Sequence, residues 1–177
     1  MLRSLPDYYR WIKLDAEEGG LSWTLRENST TWATNCLRLG DQRWVNSSRR
    51  CAPATLVFLS GHGPGLPEGG FLHLGKLGAD LTIEQGYDCA CQVMLNLLAS
   101  LKEEIGDLDK VKRVVKLLCM INAAPDFGDT PRVANGASDL LVELYGEAGQ
   151  HARSAVGMAT LPSVMPVEIE MVVEVED

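Results

Sequence analysis

The sequence lacks the features that mark several large classes of protein. None of its apolar runs reaches the roughly 18 residues that a membrane helix needs, so we expect no membrane partner. Its five cysteines form no CxxC pair, and its three histidines lack metal-ligand spacing, which argues against a metal site. It shows no nucleophilic triad, and its glycine-rich loop at 61–70 has no P-loop lysine. Metalloproteins, triad hydrolases and P-loop proteins are therefore disfavoured.

Positive charge is also scarce. The chain carries 16 Lys and Arg against 24 Asp and Glu, a formal net charge of -8. This balance argues against nucleic acid as the main partner. The one basic cluster, four residues between 110 and 116, is more typical of a solvated edge than of a phosphate track. The chain shows no secretory signal and has an odd number of cysteines, so we expect a cytoplasmic protein with reduced thiols.

The composition changes sharply near residue 50. All four tryptophans lie before this point, where neither a period of 2 nor a period of 3.6 persists. We therefore interpret 1–50 as an atypical N-terminal segment and 51–177 as one folded domain.

In the region 51–177, turn residues and helix caps separate regular runs of apolar residues. Apolar strands are predicted at 55–60, 111–123, 152–161 and 167–176. A helix is predicted over 83–105, with capping-box spacing between Thr82 and Gln85, and another begins at Thr130-Pro131 and stops at Gly146. The order β-α-β-α-β-β predicts an α+β domain with two helices on one face of a mainly antiparallel sheet.

Arg153 stands at the head of a run that otherwise reads as a buried strand. If 152–161 is extended, side chains alternate between two faces, and the residues that share the face of Arg153 are small ones followed by a leucine: Ala155, Gly157, Ala159 and Leu161. Two explanations fit this stripe. Either another backbone packs closely against it, or it leaves a pocket with one fixed positive charge.

Several blocks of the sequence resemble a known family. FLSGHGP, DLTIEQGY, NGASDLLVELYGEAG and HARSAVGMATLPSVMPVEIE resemble, in order and spacing, the YjgF family, or reactive intermediate deaminases (Rid proteins), over roughly 56–176. The resemblance implies a chorismate-mutase-like subunit in a homotrimer with three clefts between subunits. It implies hydrolysis of enamines and imines, such as 2-aminoacrylate, to 2-keto acids and ammonia, with no metal or organic cofactor. The label endoribonuclease L-PSP also belongs to this family.

The resemblance also implies a set of site residues. The carboxylate-binding arginine of the family falls on Arg153, and the glutamate that positions or activates water falls on Glu168. The cleft serine falls on Ser60, followed by Gly61, and the helix asparagine falls on Asn135. Each has a plainer explanation: an interface ion pair for the arginine, a solvent-facing position for the glutamate, and backbone hydrogen bonding for Ser60 and Asn135.

Three features depart from the family pattern. Ala155 replaces the cysteine two residues after the arginine, and the expected cleft tyrosine falls on Ser47. The segment before Leu56 does not match the first hairpin of the family. One wall of the implied cleft therefore differs here.

The last two predicted strands suggest how Arg153 and Glu168 are related. If Leu161 pairs with Pro166 in a hairpin, Glu168 lies opposite Ala159, on the face of Arg153 but roughly 20 Å away along the strand. The two residues then meet only across a subunit interface, as in a trimer with shared clefts.

These observations leave three hypotheses. The first is a trimeric deaminase of small 2-imino acids, with Arg153 as carboxylate anchor and Glu168 organising the water. The alternative is a non-catalytic trimer that binds a small carboxylate metabolite or a protein partner, which the replaced tyrosine and cysteine favour. The third, an endoribonuclease, is disfavoured by the acidic charge and by the lack of a histidine pair that could act as acid and base.

Overall fold

The computed structural model describes residues 12–17, 20–25, 50–51 and 55–176. Near the N-terminus, β1 (Ile12–Glu17) and β2 (Gly20–Leu25) pair antiparallel as a two-stranded sheet. Most of the segment 1–50 lies outside the described residues, and so does most of what was predicted for it.

A five-stranded sheet and two helices make up the rest. Its strands are β3 (Arg50–Cys51), β4 (Leu56–His62), β5 (Val111–Asn122), β6 (Ala152–Met158) and β7 (Val167–Val175), in the order β3-β4-β7-β5-β6. The helices α1 (Ile83–Ile105) and α2 (Thr130–Tyr145) pack against one face of this sheet and against each other. The predicted α+β class and its order of elements are confirmed. Neither helix is long and apolar enough to cross a membrane.

The connection between the last two strands differs from the predicted hairpin. β5 lies between β6 and β7, pairing parallel with β6 and antiparallel with β7. The chain leaves β6 and crosses the end of β5, where Ala123 N–H donates to the Met158 carbonyl and Asn122 N–H to the Pro166 carbonyl. These bonds to β5 take the place of a direct pairing between Leu161 and Pro166. The predicted hairpin was therefore wrong.

Local sequence signals fix the ends of α1. The Thr82 hydroxyl accepts from the Gln85 N–H, and the Gln85 side chain accepts from the Thr82 N–H, which confirms the capping box. Gly106 ends the helix with a φ of +82°, a conformation that favours glycine. The buried face of α1 includes Met94, Leu97 and Leu101, so burial of apolar side chains against the sheet stabilises the helix.

The start of α2 packs against the small residues on β6. Thr130 is the first residue of the helix, and its hydroxyl donates to the Ala155 carbonyl of β6 at 3.1 Å. At Gly157, an added Cβ would lie 3.4 Å from the Cβ of Ala123. Gly157 therefore faces Ala123 at ordinary contact distance, and Ala155 is tied to the start of α2 through its carbonyl.

The two faces of the sheet differ in what covers them. On β7 the alternate apolar residues are buried under the helices: Val167, Ile169, Met171, Val173 and Val175. The opposite face, called here the open face, carries the alternate residues, with Phe58 43% exposed and Val156 40% exposed. Both described helices lie on the other side.

Candidate functional site

Arg153 lies on the helix-covered face of β6, in parallel register with Leu117 of β5. Its Nη1 donates to Asn135 Oδ1 at 3.0 Å and to Ser138 Oγ at 2.8 Å, and its Nη2 donates to the Pro131 carbonyl at 3.3 Å. All three acceptors belong to α2. The structure therefore brings Arg153 and Asn135, two of the predicted site residues, into contact.

A half-buried histidine extends this cluster. His151 Nε2 lies 3.0 Å from Ser138 Oγ, and His151 Nδ1 lies 2.6 Å from the Gly149 carbonyl oxygen. Burial, reinforced by the positive charge of Arg153, lowers the pKa of His151 below its ordinary value, against the opposing effect of the Gly149 carbonyl. The imidazole is therefore neutral near pH 7.

A surface groove reaches this cluster through Asn135. It has a volume of about 410 Å³ and lies between the first turns of α1 and α2, lined by Ile83, Glu84, Tyr87, Asp88, Arg132 and Asn135. The Tyr87 hydroxyl donates to Asp139 Oδ2 at 3.0 Å. Burial and this carboxylate hold the pKa of Tyr87 well above its ordinary value, so the phenol keeps its proton.

Glu168 forms a second cluster with the end of β4. The register of β4 and β7 shifts between Leu59 and His62, so Ser60 and Gly61 lie in a bulge. An added Cβ on Gly61 would lie 1.9 Å from Glu168 Oε1, so the carboxylate rests directly on the glycine. Burial and the neighbouring Glu170 raise the pKa of Glu168. The structure thus brings Glu168 against Gly61, the residue that follows Ser60.

Contacts from α1 hold this bulge and the loop after it. His62 Nδ1 lies 2.7 Å from the Ser60 carbonyl oxygen, and His62 Nε2 lies 2.8 Å from Ser100 Oγ. Asn96 Nδ2 donates to the carbonyls of Gly63 and Gly65. The loop that follows Ser60 is therefore tied to the helix through side chains.

The two clusters do not meet within one chain. Glu168 alternates with the fully buried Val167 and Ile169, so it lies on the open face, and its prediction on the face of Arg153 was wrong. The cause is the position of β5: Arg153 pairs with Leu117, whereas Glu168 pairs with Met120. Two strand spacings and three residues separate the Cα atoms by about 14 Å.

The three cysteines within residues 55–176 are all buried. Cys119 of β5 is fully buried, and burial raises its pKa to about 11. Cys89 is also fully buried, with its pKa raised by burial to about 12, and Cys91 is 7% exposed. Cys89 and Cys91 are thus core thiols of α1. Ala155 packs on the edge of the core, and Ser47 lies outside the described residues.

Comparison with known proteins identifies the family. The family model described as "YjgF/chorismate_mutase-like, putative endoribonuclease" matches residues 51–175. The chain belongs to the YjgF family. Protein TCP17 of Trypanosoma cruzi is 39% identical over 156 residues, which cover 82% of this chain and 94% of that protein.

Solved structures agree with this membership. Atu1372 of Agrobacterium tumefaciens, a protein of unknown function, is 34% identical with a TM-score of 0.72, over 84% of this chain and 94% of that one. A Shewanella oneidensis protein that also carries the endoribonuclease label is 28% identical with a TM-score of 0.72, over 80% and 97% of the two chains. The YjgF fold therefore spans the two clusters described above.

Two residues of the cluster around Arg153, His151 and Ser138, were not predicted from the sequence. His151 was considered only as a metal ligand, and Ser138 was not considered. Two spacings could have revealed them: His151 lies two residues before Arg153, and Ser138 lies three residues after Asn135, on the same side of a helix. Their link is tertiary, between α2 and the start of β6.

Proposed function

We propose that this YjgF-family protein hydrolyses small 2-imino and enamine acids to 2-keto acids and ammonia. The observation that carries the proposal is the state of the Arg153 guanidinium. Its hydrogen bonds to described residues use three of its five N–H donors, two on Nη1 and one on Nη2. The Nε–H and the second Nη2 N–H remain, and this edge is suited to bidentate binding of a carboxylate.

The proposal includes a homotrimer with clefts shared between subunits. Among the described strands, β6 pairs only with β5, so Arg153 lies on an edge strand that a second copy can approach. Glu168 lies on the open face, away from the arginine of its own chain. A neighbouring subunit can therefore supply the glutamate that complements Arg153, which a single chain does not.

The chemistry asks little of the protein beyond placement. With the carboxylate held by Arg153, water adds to the imine carbon, and Glu168 takes a proton from that water as general base. An enamine first tautomerises to the imine by losing a proton from nitrogen and gaining one at carbon. The carbinolamine then collapses to the keto group: its hydroxyl gives up its proton as the C–N bond breaks, and this proton and the one held by Glu168 both pass to the nitrogen, which leaves as ammonia. The raised pKa of Glu168 suits it to both transfers. Orientation and charge placement suffice for such a reaction.

The deciding experiment follows pyruvate release from enzymatically generated 2-aminoacrylate. We expect acceleration by the wild type, a loss of at least about 100-fold with Arg153→Ala, and partial activity with Arg153→Lys, which keeps the charge but not the fork. Lys102→Ala is the control: Lys102 is exposed on α1, away from both clusters and from the open face, so its loss should leave turnover unchanged.

The outcomes separate the competing functions. Pyruvate binding that depends on Arg153, without consumption of 2-aminoacrylate, indicates a carboxylate-binding module instead. RNA binding with a steep salt dependence indicates a ribonuclease, a function that the net charge of -8 disfavours. Equal turnover by wild type and Arg153→Ala contradicts the assignment of the anchor.

The proposal places the protein in the cytoplasm. The buried thiols of Cys89 and Cys119 support this, since reduced cysteines in a packed core are typical of a reducing compartment.

A further inference from the structure

A chain of hydrogen bonds connects Arg153 to the backbone through two side chains, and its direction follows from the groups involved. The Gly149 carbonyl only accepts, so His151 Nδ1 carries the proton and donates to it at 2.6 Å. His151 Nε2 then has no proton and accepts from the Ser138 hydroxyl at 3.0 Å. Ser138 Oγ is left to accept from Arg153 Nη1 at 2.8 Å.

We propose that Ser138 and His151 are positioning residues that orient Arg153 for the carboxylate of a 2-imino or 2-keto acid. The inference rests on the proposed function, in which Arg153 is the anchor. Ser138 and Asn135 together occupy both N–H groups of Nη1. The guanidinium therefore presents its Nε–Nη2 edge, and its plane is fixed before the ligand arrives, which lowers the entropy cost of binding.

The arrangement requires a neutral imidazole. A proton on Nε2 turns that atom into a donor, so the Ser138 hydroxyl loses its acceptor, and two positive charges then lie on either side of one serine. The positive charge of Arg153 acts on His151 and lowers the pKa of the imidazole. On the neighbouring elements, Lys116 donates to Ser154, Asp139 accepts from Tyr87, and Glu147 lies in the turn before Gly149. Acidification should therefore loosen the anchor.

Two substitutions of His151 separate its two nitrogen positions. In His151→Gln the amide oxygen reaches the Nε2 position and accepts from Ser138 without titrating, whereas in His151→Asn the amide reaches only the Nδ1 position. We expect Ser138→Ala and His151→Asn to weaken pyruvate binding about tenfold at pH 7, and His151→Gln to stay within about threefold of wild type. Ser163→Ala, at an exposed position in the loop between β6 and β7, is the matched serine control and should bind as wild type.

The pH profile adds a readout that a merely structural role would not move. Between about pH 7 and pH 5, pyruvate binding by the wild type should weaken more than binding by His151→Gln. Glu168 titrates in both proteins, so the difference between them isolates His151.

Nuclear magnetic resonance of the ligand-free protein distinguishes failure of this inference from failure of the proposed function. Long-range ¹H–¹⁵N spectra should show His151 as the Nδ1–H tautomer, and Arg153→Ala should raise its pKa while Arg153→Lys should not. If these results hold but the wild type binds no 2-keto acid, the cluster exists and the proposed function fails. An Nε2–H tautomer, or wild-type affinity in both Ser138→Ala and His151→Asn, overturns the positioning role.

Discussion

At the scale of single residues, Gly61 and Glu168 depend on each other. The carboxylate of Glu168 rests where any other residue at position 61 would place its Cβ, 1.9 Å from Oε1. The glycine thus lets the glutamate lie close to the β4 bulge. Burial and the charge of Glu170 make ionisation of this half-buried carboxyl unfavourable, which raises its pKa. A group kept for stability alone would not be expected in this environment.

Glu168→Gln should therefore stabilise the protein while removing turnover. Because the pKa of Glu168 is raised, the native state binds more protons than the unfolded state above about pH 4.5, and stability falls as the pH rises through the native pKa. At neutral pH the destabilising effect of the half-buried, ionised carboxylate is present, and substitution by glutamine removes it. We expect a rise in Tm of about 1–2 °C, small because solvent screens the partly exposed group, by calorimetry.

The difference in Tm between wild type and Glu168→Gln should vanish on acidification, when the wild-type carboxyl is protonated. Glu176→Gln, at an exposed position, is the control and should leave Tm unchanged. A lower Tm for Glu168→Gln at neutral pH would mean that the carboxylate makes a stabilising contact, and the general-base role would lose its main support.

At the scale of elements, caps and periodicity predicted the helices and strands well. Local sequence predicted the strands at 111–123 and 167–176, the capping box at Thr82 and the end of α2 at Gly146. Each of these features depends on neighbours within a few residues. The order of strands was missed. It depends on bonds from Asn122 and Ala123 to a loop some forty residues later, which no local pattern records.

The candidate site divides in the same way. Arg153, Asn135, Glu168, Ser60 and Gly61 were carried over from the family resemblance, and the structure gathers them into two clusters. The prediction of the sheet face that carries Glu168 was wrong, because it assumed that β6 pairs directly with β7. The hydrogen bond from Ser138 to His151 joins elements that only the fold brings together.

The packing of α1 on α2 depends on Gly136. An added Cβ there would lie 2.1 Å from the Tyr87 carbonyl oxygen, a backbone atom that cannot rotate away. Gly136→Ala should therefore force the helices apart, at a cost of about 1–3 kcal/mol from overpacking that the gain of about 1 kcal/mol in helix propensity only partly offsets. Urea unfolding at fixed protein concentration measures the net loss.

Gly128→Ala is the matched control, because nothing lies within 4 Å of an added Cβ at that position. Its free energy of unfolding should stay within about 0.5 kcal/mol of wild type. If Gly136→Ala proves as stable as wild type, the two helices separate more easily than their close contact at Tyr87 suggests.

At the scale of the whole molecule, the open face of the sheet needs an explanation. It exposes Phe58 and Val156 and leaves Leu118, Met120 and Val172 half-buried, although both described helices cover the other side. Apolar side chains exposed on such a face, next to the charged residues Glu168 and Glu170, are typical of an interface. The proposed trimer covers it with other copies of the chain and supplies Glu168 to a neighbouring Arg153.

Val156→Lys should therefore dissociate the trimer, since it places a charge at an apolar, exposed position of the covered face. Light scattering after size exclusion should give the mass of one chain for the variant and of three chains for the wild type. Val142→Lys is the control: Val142 is 41% exposed on α2, outside the proposed interface, so this variant should stay trimeric. Because the cleft is shared, Val156→Lys should also lose turnover although Arg153 is intact. A monomeric variant that keeps full activity would place the whole site within one chain.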